Sequence, residues 1–134
     1  MIVIESSAMV DALVDEPPSP ELLAVIADED LHAPALLDFE VASALRGHVL
    51  GGKLDDARLS DAVQDFTALA IERHPMTSMV GNILGLKDNF TAYDAAYIVL
   101  AQALRAPLVT CDGKLAEAQR FGIEVREYRP SPAT

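Results

Sequence analysis

Positive charge is what this chain has least of: 10 Lys and Arg stand against 21 Asp and Glu, for a net charge of −11. That balance argues against a basic patch holding nucleic acid by its phosphates, and it favours a basic partner. It leaves open an enzyme that meets phosphates through metal ions. Cysteine is nearly absent. Cys111 stands alone, so no internal disulfide can form, and a reducing compartment is expected. No apolar run approaches the ~20 residues that cross a bilayer. The opening Met1-Ile2-Val3-Ile4-Glu5 lacks the basic flank of a signal peptide. His32, His48 and His74 lie far apart and show no zinc-ligand spacing. No repeat, linker or low-complexity segment divides the chain. These absences lead to the expectation of a cytoplasmic protein without a membrane segment, one domain over residues 1–134, with apolar residues at 51% sufficient for a core.

What is present alternates between strand and helix. Ile2-Val3-Ile4 is a short β-branched run suited to a buried parallel strand, and Ala8 to Val14 reads as the helix after it. Ser19 caps a helix with Pro20 at its first position, running to about Ala27. Leu31-His32-Ala33 is a short strand. Pro34 is read as opening a helix over roughly Leu36 to Leu50, stopped by Gly51-Gly52. Asp56 to Ala70 is helical, Ile71-Glu72-Arg73 a strand and Met76 to Leu86 a helix. Leu108-Val109-Thr110, a turn at Cys111-Asp112-Gly113, a helix from Lys114 to Phe121 and an edge strand from Ile123 to Tyr128 follow, before a loose tail at Pro130 to Thr134. Strands alternating with helices predict an α/β fold: a parallel sheet with helices on both faces, and ligands at the carboxyl ends of the strands.

The segment from Thr91 to Leu104 stands out. Thr91 is an N-cap, and only Asp94 and Gln102 interrupt Ala, Tyr, Ile, Val and Leu around the helical wheel. A helix apolar on nearly every side belongs in the middle of a fold. Asp94, in its first turn, therefore needs a partner: backbone N–H groups, a cation or a metal. Three further acids occupy comparable places. Glu5 ends the first strand, Asp112 follows the Leu108–Thr110 strand, and Glu40 shares a helix face with Leu36, Leu37, Ser43, Ala44 and Gly47. Carboxylates gathered without a cation repel one another and shift their pKa values upward. An oxygen-only ligand set suits Mg²⁺ or Mn²⁺, and carboxylate-held metal pairs serve phosphodiester hydrolysis. Each acid also has a plainer reading. Asp94 answers a helix dipole, Asp112 precedes a glycine turn, Glu40 bonds an arginine or a helix end, and Glu5 caps a neighbouring helix. Ser6 and Ser7 suit the start of the first helix, and Tyr93 and Tyr97 suit packing.

Four stretches together resemble a PIN domain of the VapC-type toxin ribonucleases: Met1 to Ala8, Leu37 to Arg46, Thr91 to Tyr97 and Leu108 to Asp112. The similarity runs over almost the full length. It implies a three-layer α/β/α fold with a central parallel sheet of order 3-2-1-4-5. It implies a Mg²⁺-dependent endoribonuclease (Mn²⁺ as substitute), the toxic component of a type II toxin–antitoxin system, held in check by a VapB-type antitoxin and commonly a homodimer. By motif position Glu5, Glu40, Asp94 and Asp112 fall on the family's catalytic and metal-binding acids, with Ser7 and Thr110 as supporting hydroxyls. The departure is Glu5, where the family usually has Asp; the added methylene displaces an extended carboxylate by ~1.5 Å, which catalytic geometry tolerates poorly. A non-catalytic PIN-fold module, its acidic pocket capturing a basic partner segment, is the rival reading. A phosphoacceptor receiver would need Asp where Ile71-Glu72-Arg73-His74 stands. A haloacid dehalogenase-type enzyme would need Asp-x-Asp where Glu5-Ser6-Ser7 stands.

Overall fold

The computed structural model describes residues 1–128; the expected tail at Pro130 to Thr134 lies outside the described residues. Five strands form one all-parallel sheet of order β3-β2-β1-β4-β5. They are β1 (Ile2–Ile4), β2 (Leu31–Pro34), β3 (Ile71–His74), β4 (Leu108–Thr110) and β5 (Val125–Glu127). The helices are α1 (Ser6–Val14), α2 (Pro20–Asp28), α3 (Leu37–Leu50), α4 (Asp56–Ala68), α5 (Val80–Leu84) and α6 (Ala92–Leu104), with 3₁₀ segments at Thr77–Met79 and Gly113–Phe121. The result is the three-layer α/β/α arrangement of a PIN-like fold.

Strand alternation divides the core in two. Ile2 and Ile4 point to one face, where α1, α2, α3 and α4 pack through Met9, Leu22, Val41 and Phe66. Val3 points to the other, against Ile98 and Leu100 of α6. β1 is thus buried on both faces, which a continuous β-branched run suits. Of α6, Ala95 to Ala101 form an unbroken buried stretch, while Tyr93 and Gln102 reach solvent. The helix is apolar all round because sheet, loop and neighbouring helix cover it along those two turns.

Local chemistry accounts for most boundaries. Ser19 caps α2 by accepting from the Leu22 N–H at 3.3 Å, with Pro20 at the first position. Asp55 caps α4 and Thr91 caps α6 in the same way. Arg105, at φ 52°, ends α6 in the left-handed region, and Gly122, at φ 86°, ends the last 3₁₀ segment.

Several expected boundaries move. Pro34 closes β2 rather than opening a helix: the last residue of a strand needs no further donor, and the ladder continues through the Ala35 N–H on the His74 carbonyl at 2.9 Å. α1 begins at Ser6 because Glu5 serves as its N-cap. The Met76–Leu86 region divides into a 3₁₀ turn and the short α5, and the segment from Lys114 to Phe121 winds as 3₁₀.

Candidate functional site

β1 and β4 are parallel neighbours in register, Val3 beside Leu108 and Ile4 beside Val109. Their carboxyl ends therefore release Glu5 and Asp112 side by side, where strand order turns from β2 on one side of β1 to β4 on the other. This is the crevice at which open α/β sheets bind ligands. α6 packs across β1, β2 and β4 and brings Asp94 to the same end. Glu40 enters from the first turns of α3.

Glu5 is 5% exposed and its carboxylate is fully engaged. Oε2 accepts from the Ser7 backbone N–H at 2.7 Å and the Ser6 hydroxyl at 2.9 Å. Oε1 accepts from the Thr110 hydroxyl at 2.6 Å and from the Ser7 hydroxyl. Two relays end there. The Asp112 N–H donates to Thr110 Oγ1 and the Cys111 N–H to Ser7 Oγ, each at 2.9 Å, and both hydroxyls pass a hydrogen on to Glu5. Glu5 thus anchors the turn that carries Asp112 as well as capping its own helix.

The other acids are less fully satisfied. The Tyr97 hydroxyl donates to Glu40 Oε1 at 2.6 Å. Burial raises the Glu40 pKa, the Tyr97 bond pulls it down, and the charges of Glu5 and Asp94 push it up again. The Asp94 pKa is raised, first by burial, then by Glu5 and Asp112, against the opposing pull of Lys114. The Lys114 ammonium lies 3.4 Å from Asp112 and 3.8 Å from Asp94, and its own pKa is raised by both. Glu40 therefore feels the charges of Glu5 and Asp94, and Asp94 those of Glu5 and Asp112, but among the described residues no three of these four acids bring carboxylate oxygens within 4.8 Å of one another, and a cation already stands between Asp94 and Asp112.

By type, carboxylate oxygens alone, the donors suit a hard divalent ion, and the ammonium of Lys114 holds a cation's place between Asp94 and Asp112 in this arrangement. Ser7 and Thr110 sit where expected, with both hydroxyls on Glu5. Sequence reasoning passed over three neighbours of the pocket. Tyr97 was read as packing, although it lies three residues after Asp94 and so on the same helix face. Lys114 and Ser6 were assigned only to helix and cap. The Cys111 thiol, its pKa pushed up to about 12 by burial and by Asp11, is no thiolate nucleophile. Phe39, 79% exposed, and Tyr93, 66% exposed, stand with Leu36 and Ser43 around Glu40.

Comparison with known proteins bears on the family and the fold. The family model described as PIN domain matches residues 2–120. Ribonuclease VapC12 of Mycobacterium tuberculosis is 33% identical over 125 residues, 93% of this chain and 97% of the relative. Ribonuclease VapC9 of the same organism is 38% identical over 117 residues, 87% of this chain and 90% of the relative. Among solved structures, PAE2754 from Pyrobaculum aerophilum superposes with a TM-score of 0.68 at 22% identity, over 92% of this chain and 82% of that one. FitAcB from Neisseria gonorrhoeae does so with a TM-score of 0.61 at 17% identity, over 93% of this chain and 96% of that one. These two share the fold.

Proposed function

The chain belongs to the PIN domain family, and on that basis we propose that it is a Mg²⁺-dependent endoribonuclease, the toxic component of a type II toxin–antitoxin system. The observation that carries the reading is that Glu40 of α3 and Asp94 of α6 lie close enough to Glu5 and Asp112, at the carboxyl ends of β1 and β4, to feel their charge, in a chain whose relatives are named ribonucleases. Glu5, Glu40, Asp94 and Asp112 would hold the ion, with Mn²⁺ as a substitute. When bound, a divalent cation supplies Lewis acidity, lowering the pKa of a water and offsetting charge at a scissile phosphodiester.

The chain's own residues prepare that pocket. Tyr97 donates to Glu40, favouring its ionised form and fixing its direction. Thr91 caps α6, so Asp94 rides on a rigid first turn. Ser7 and Thr110 hold Glu5 and, through the relays, the Asp112 turn. Phe39 and Tyr93 offer exposed aromatic faces beside the acids, suited to stacking unpaired bases of single-stranded RNA. With a net charge of −11, the chain repels RNA unless cations intervene. The full hydrogen-bonding of Glu5 means that ligation by it gives up a bond from Ser6 or Ser7; this is the physical form the added methylene takes here. A VapB-type antitoxin and a homodimeric state complete the reading. Among the described residues no helix is long and apolar enough to cross a membrane, and a cytoplasmic setting accords with it.

A second reading draws on Lys114. Its ammonium against Asp94 and Asp112 is an internal example of this pocket taking a basic side chain, as a non-catalytic module capturing a basic partner segment would do.

One experiment separates the two. Purified chain is incubated with RNA and Mg²⁺ or Mn²⁺, alongside Asp94→Asn and Glu5→Asp, with Mg²⁺ titrated by calorimetry. Cleavage that Asp94→Asn abolishes and Glu5→Asp increases is expected. Absence of both cleavage and Mg²⁺ binding, persisting in Glu5→Asp, would leave the binding module as the reading.

A further inference from the structure

The three histidines are remote in sequence, yet β2 and β3 bring two of them together. The parallel register sets His32 beside Glu72 and Pro34 beside His74. Residues two apart on a strand share a face, so His32, Glu72 and His74 all rise from one side of the sheet. It is the side on which Val3, the register partner of His32, packs against α6. β2 stands between β1 and β3, and the bonds of Glu5 run to Ser6, Ser7 and Thr110 while those of His32 run to Asp30, Glu72 and His74, so the two clusters share no partner.

His32 is 5% exposed, and both ring nitrogens face polar neighbours. Nε2 lies 2.9 Å from Asp30 Oδ2. An ionised carboxylate only accepts, so Nε2 carries the hydrogen. In a neutral ring Nδ1 then presents a lone pair. Facing that lone pair are His74 Nε2 at 2.9 Å and Glu72 Oε2 at 3.4 Å. A hydrogen on His74 Nε2 would satisfy one contact only, leaving the Glu72 oxygen against a lone pair with no proton between them. A cation at the centre satisfies all three, and that cation is either a metal ion or a second ring proton on Nδ1, which titration with Zn²⁺ distinguishes.

The dimensions agree. One ligand atom from each of His32, Glu72 and His74 lies within 4.8 Å of the others. Tetrahedral bonds of ~2.0–2.1 Å place adjacent ligands ~3.3 Å apart, between the 2.9 and 3.4 Å found here. Asp30 occupies the place of the outer carboxylate that orients a metal-bound imidazole. Two imidazoles and a carboxylate suit zinc-class ions rather than Mg²⁺.

We propose that His32, Glu72 and His74, with Asp30 orienting His32, form a binding site for a zinc-class divalent ion that ties the edge strand β3 to β2, independently of the acidic pocket.

The test uses the untagged full chain carrying Asp94→Asn and Asp112→Asn, which weaken the acidic pocket for metal, stripped with chelator. It is titrated with Zn²⁺ by calorimetry and loaded with Co²⁺ for visible spectroscopy. One equivalent of Zn²⁺, intense tetrahedral Co²⁺ bands and a raised melting midpoint are expected. His74→Ala should weaken Zn²⁺ at least 100-fold and abolish the Co²⁺ bands. Glu72→Gln, a change at an exposed position, should weaken it at least 10-fold, and it serves alone if His74→Ala does not fold. Absence of stoichiometric Zn²⁺ binding, or unchanged affinity in Glu72→Gln, overturns the proposal. So does a His32–His74 pair that titrates with pH but takes no Zn²⁺.

Discussion

Replacing Glu5 by glutamine keeps the length of the side chain and removes its charge, which isolates what the four incoming donors require. The amide must turn its oxygen toward the Ser7 backbone N–H, because that donor cannot reverse. Its NH₂ then faces the hydroxyls of Ser7 and Thr110. Both already accept backbone hydrogens from Cys111 and Asp112, so each must rotate its own hydrogen away to accept another. Thr110 is fully buried, and Ser7 Oγ, at 3.3 Å, is an alternative acceptor beside it. Bonds to a charged acceptor contribute about 1.5–3 kcal/mol each and neutral ones about 0.5–1.5. Loss of the negative charge relieves Glu40 and Asp94, which offsets part of the cost. The expected net destabilisation is about 1–3 kcal/mol, a fall in melting midpoint of roughly 4–12 °C for a domain of this size. Urea denaturation measures it, as a lower midpoint at constant slope. Glu5→Asp keeps both charge and cap and should stay within about 1 kcal/mol of the parent. A Glu5→Gln midpoint equal to or above the parent would refute the view that Glu5 anchors α1 and the Asp112 turn.

Two further outcomes follow from the same pocket. Tyr97→Phe deletes the hydroxyl that bonds Glu40 and also meets the Ser6 side chain; it should cost about 1.5–3 kcal/mol and raise the Glu40 pKa, since that bond now lowers it. Side-chain carboxyl NMR reads this directly, and an unmoved titration would contradict it. Asp11, Asp15, Glu40 and Asp94 all have raised pKa values, so these four bind more protons in the folded chain than in the unfolded one just above the usual carboxylate range, while Glu29, lowered by the Met1 ammonium, acts the other way. For the four raised groups stability rises as pH falls through the folded values and levels off below the unfolded ones, near ~4. In metal-free buffer the urea midpoint should therefore increase from neutral pH toward about 5, and a steady decrease would count against this assignment.

Much of the architecture is legible in the chain itself. Ile2-Val3-Ile4 and Leu108-Val109-Thr110 are β-branched or apolar runs without a polar face, and such runs have few stable places outside a covered parallel sheet. Thr91 and the apolar turns after it define α6 before any tertiary contact, because capping and periodicity act over a few residues. The positions of Glu5 and Asp112 follow from strand ends, so the acidic pocket could be anticipated. Pro34 was misplaced because its missing N–H is tolerated equally at a helix start and at a strand end; pairing with β3 decides between them.

What no local pattern contains is the meeting of side chains from separate elements. That Glu5 is saturated by Ser6, Ser7 and Thr110, that Tyr97 reaches Glu40, and that Lys114 settles between Asp94 and Asp112 depend on how β1, β4, α3 and α6 pack. The histidines make the point most sharply. His32 and His74 are 42 residues apart in the chain, and the register of two parallel strands brings them within bonding distance. Sequence by itself determined which segments are strand and helix and where the acids fall on them, because hydrophobic period and capping are short-range. Only the tertiary structure decided which donors and charges each acid and histidine would face, because strand register and helix packing are long-range.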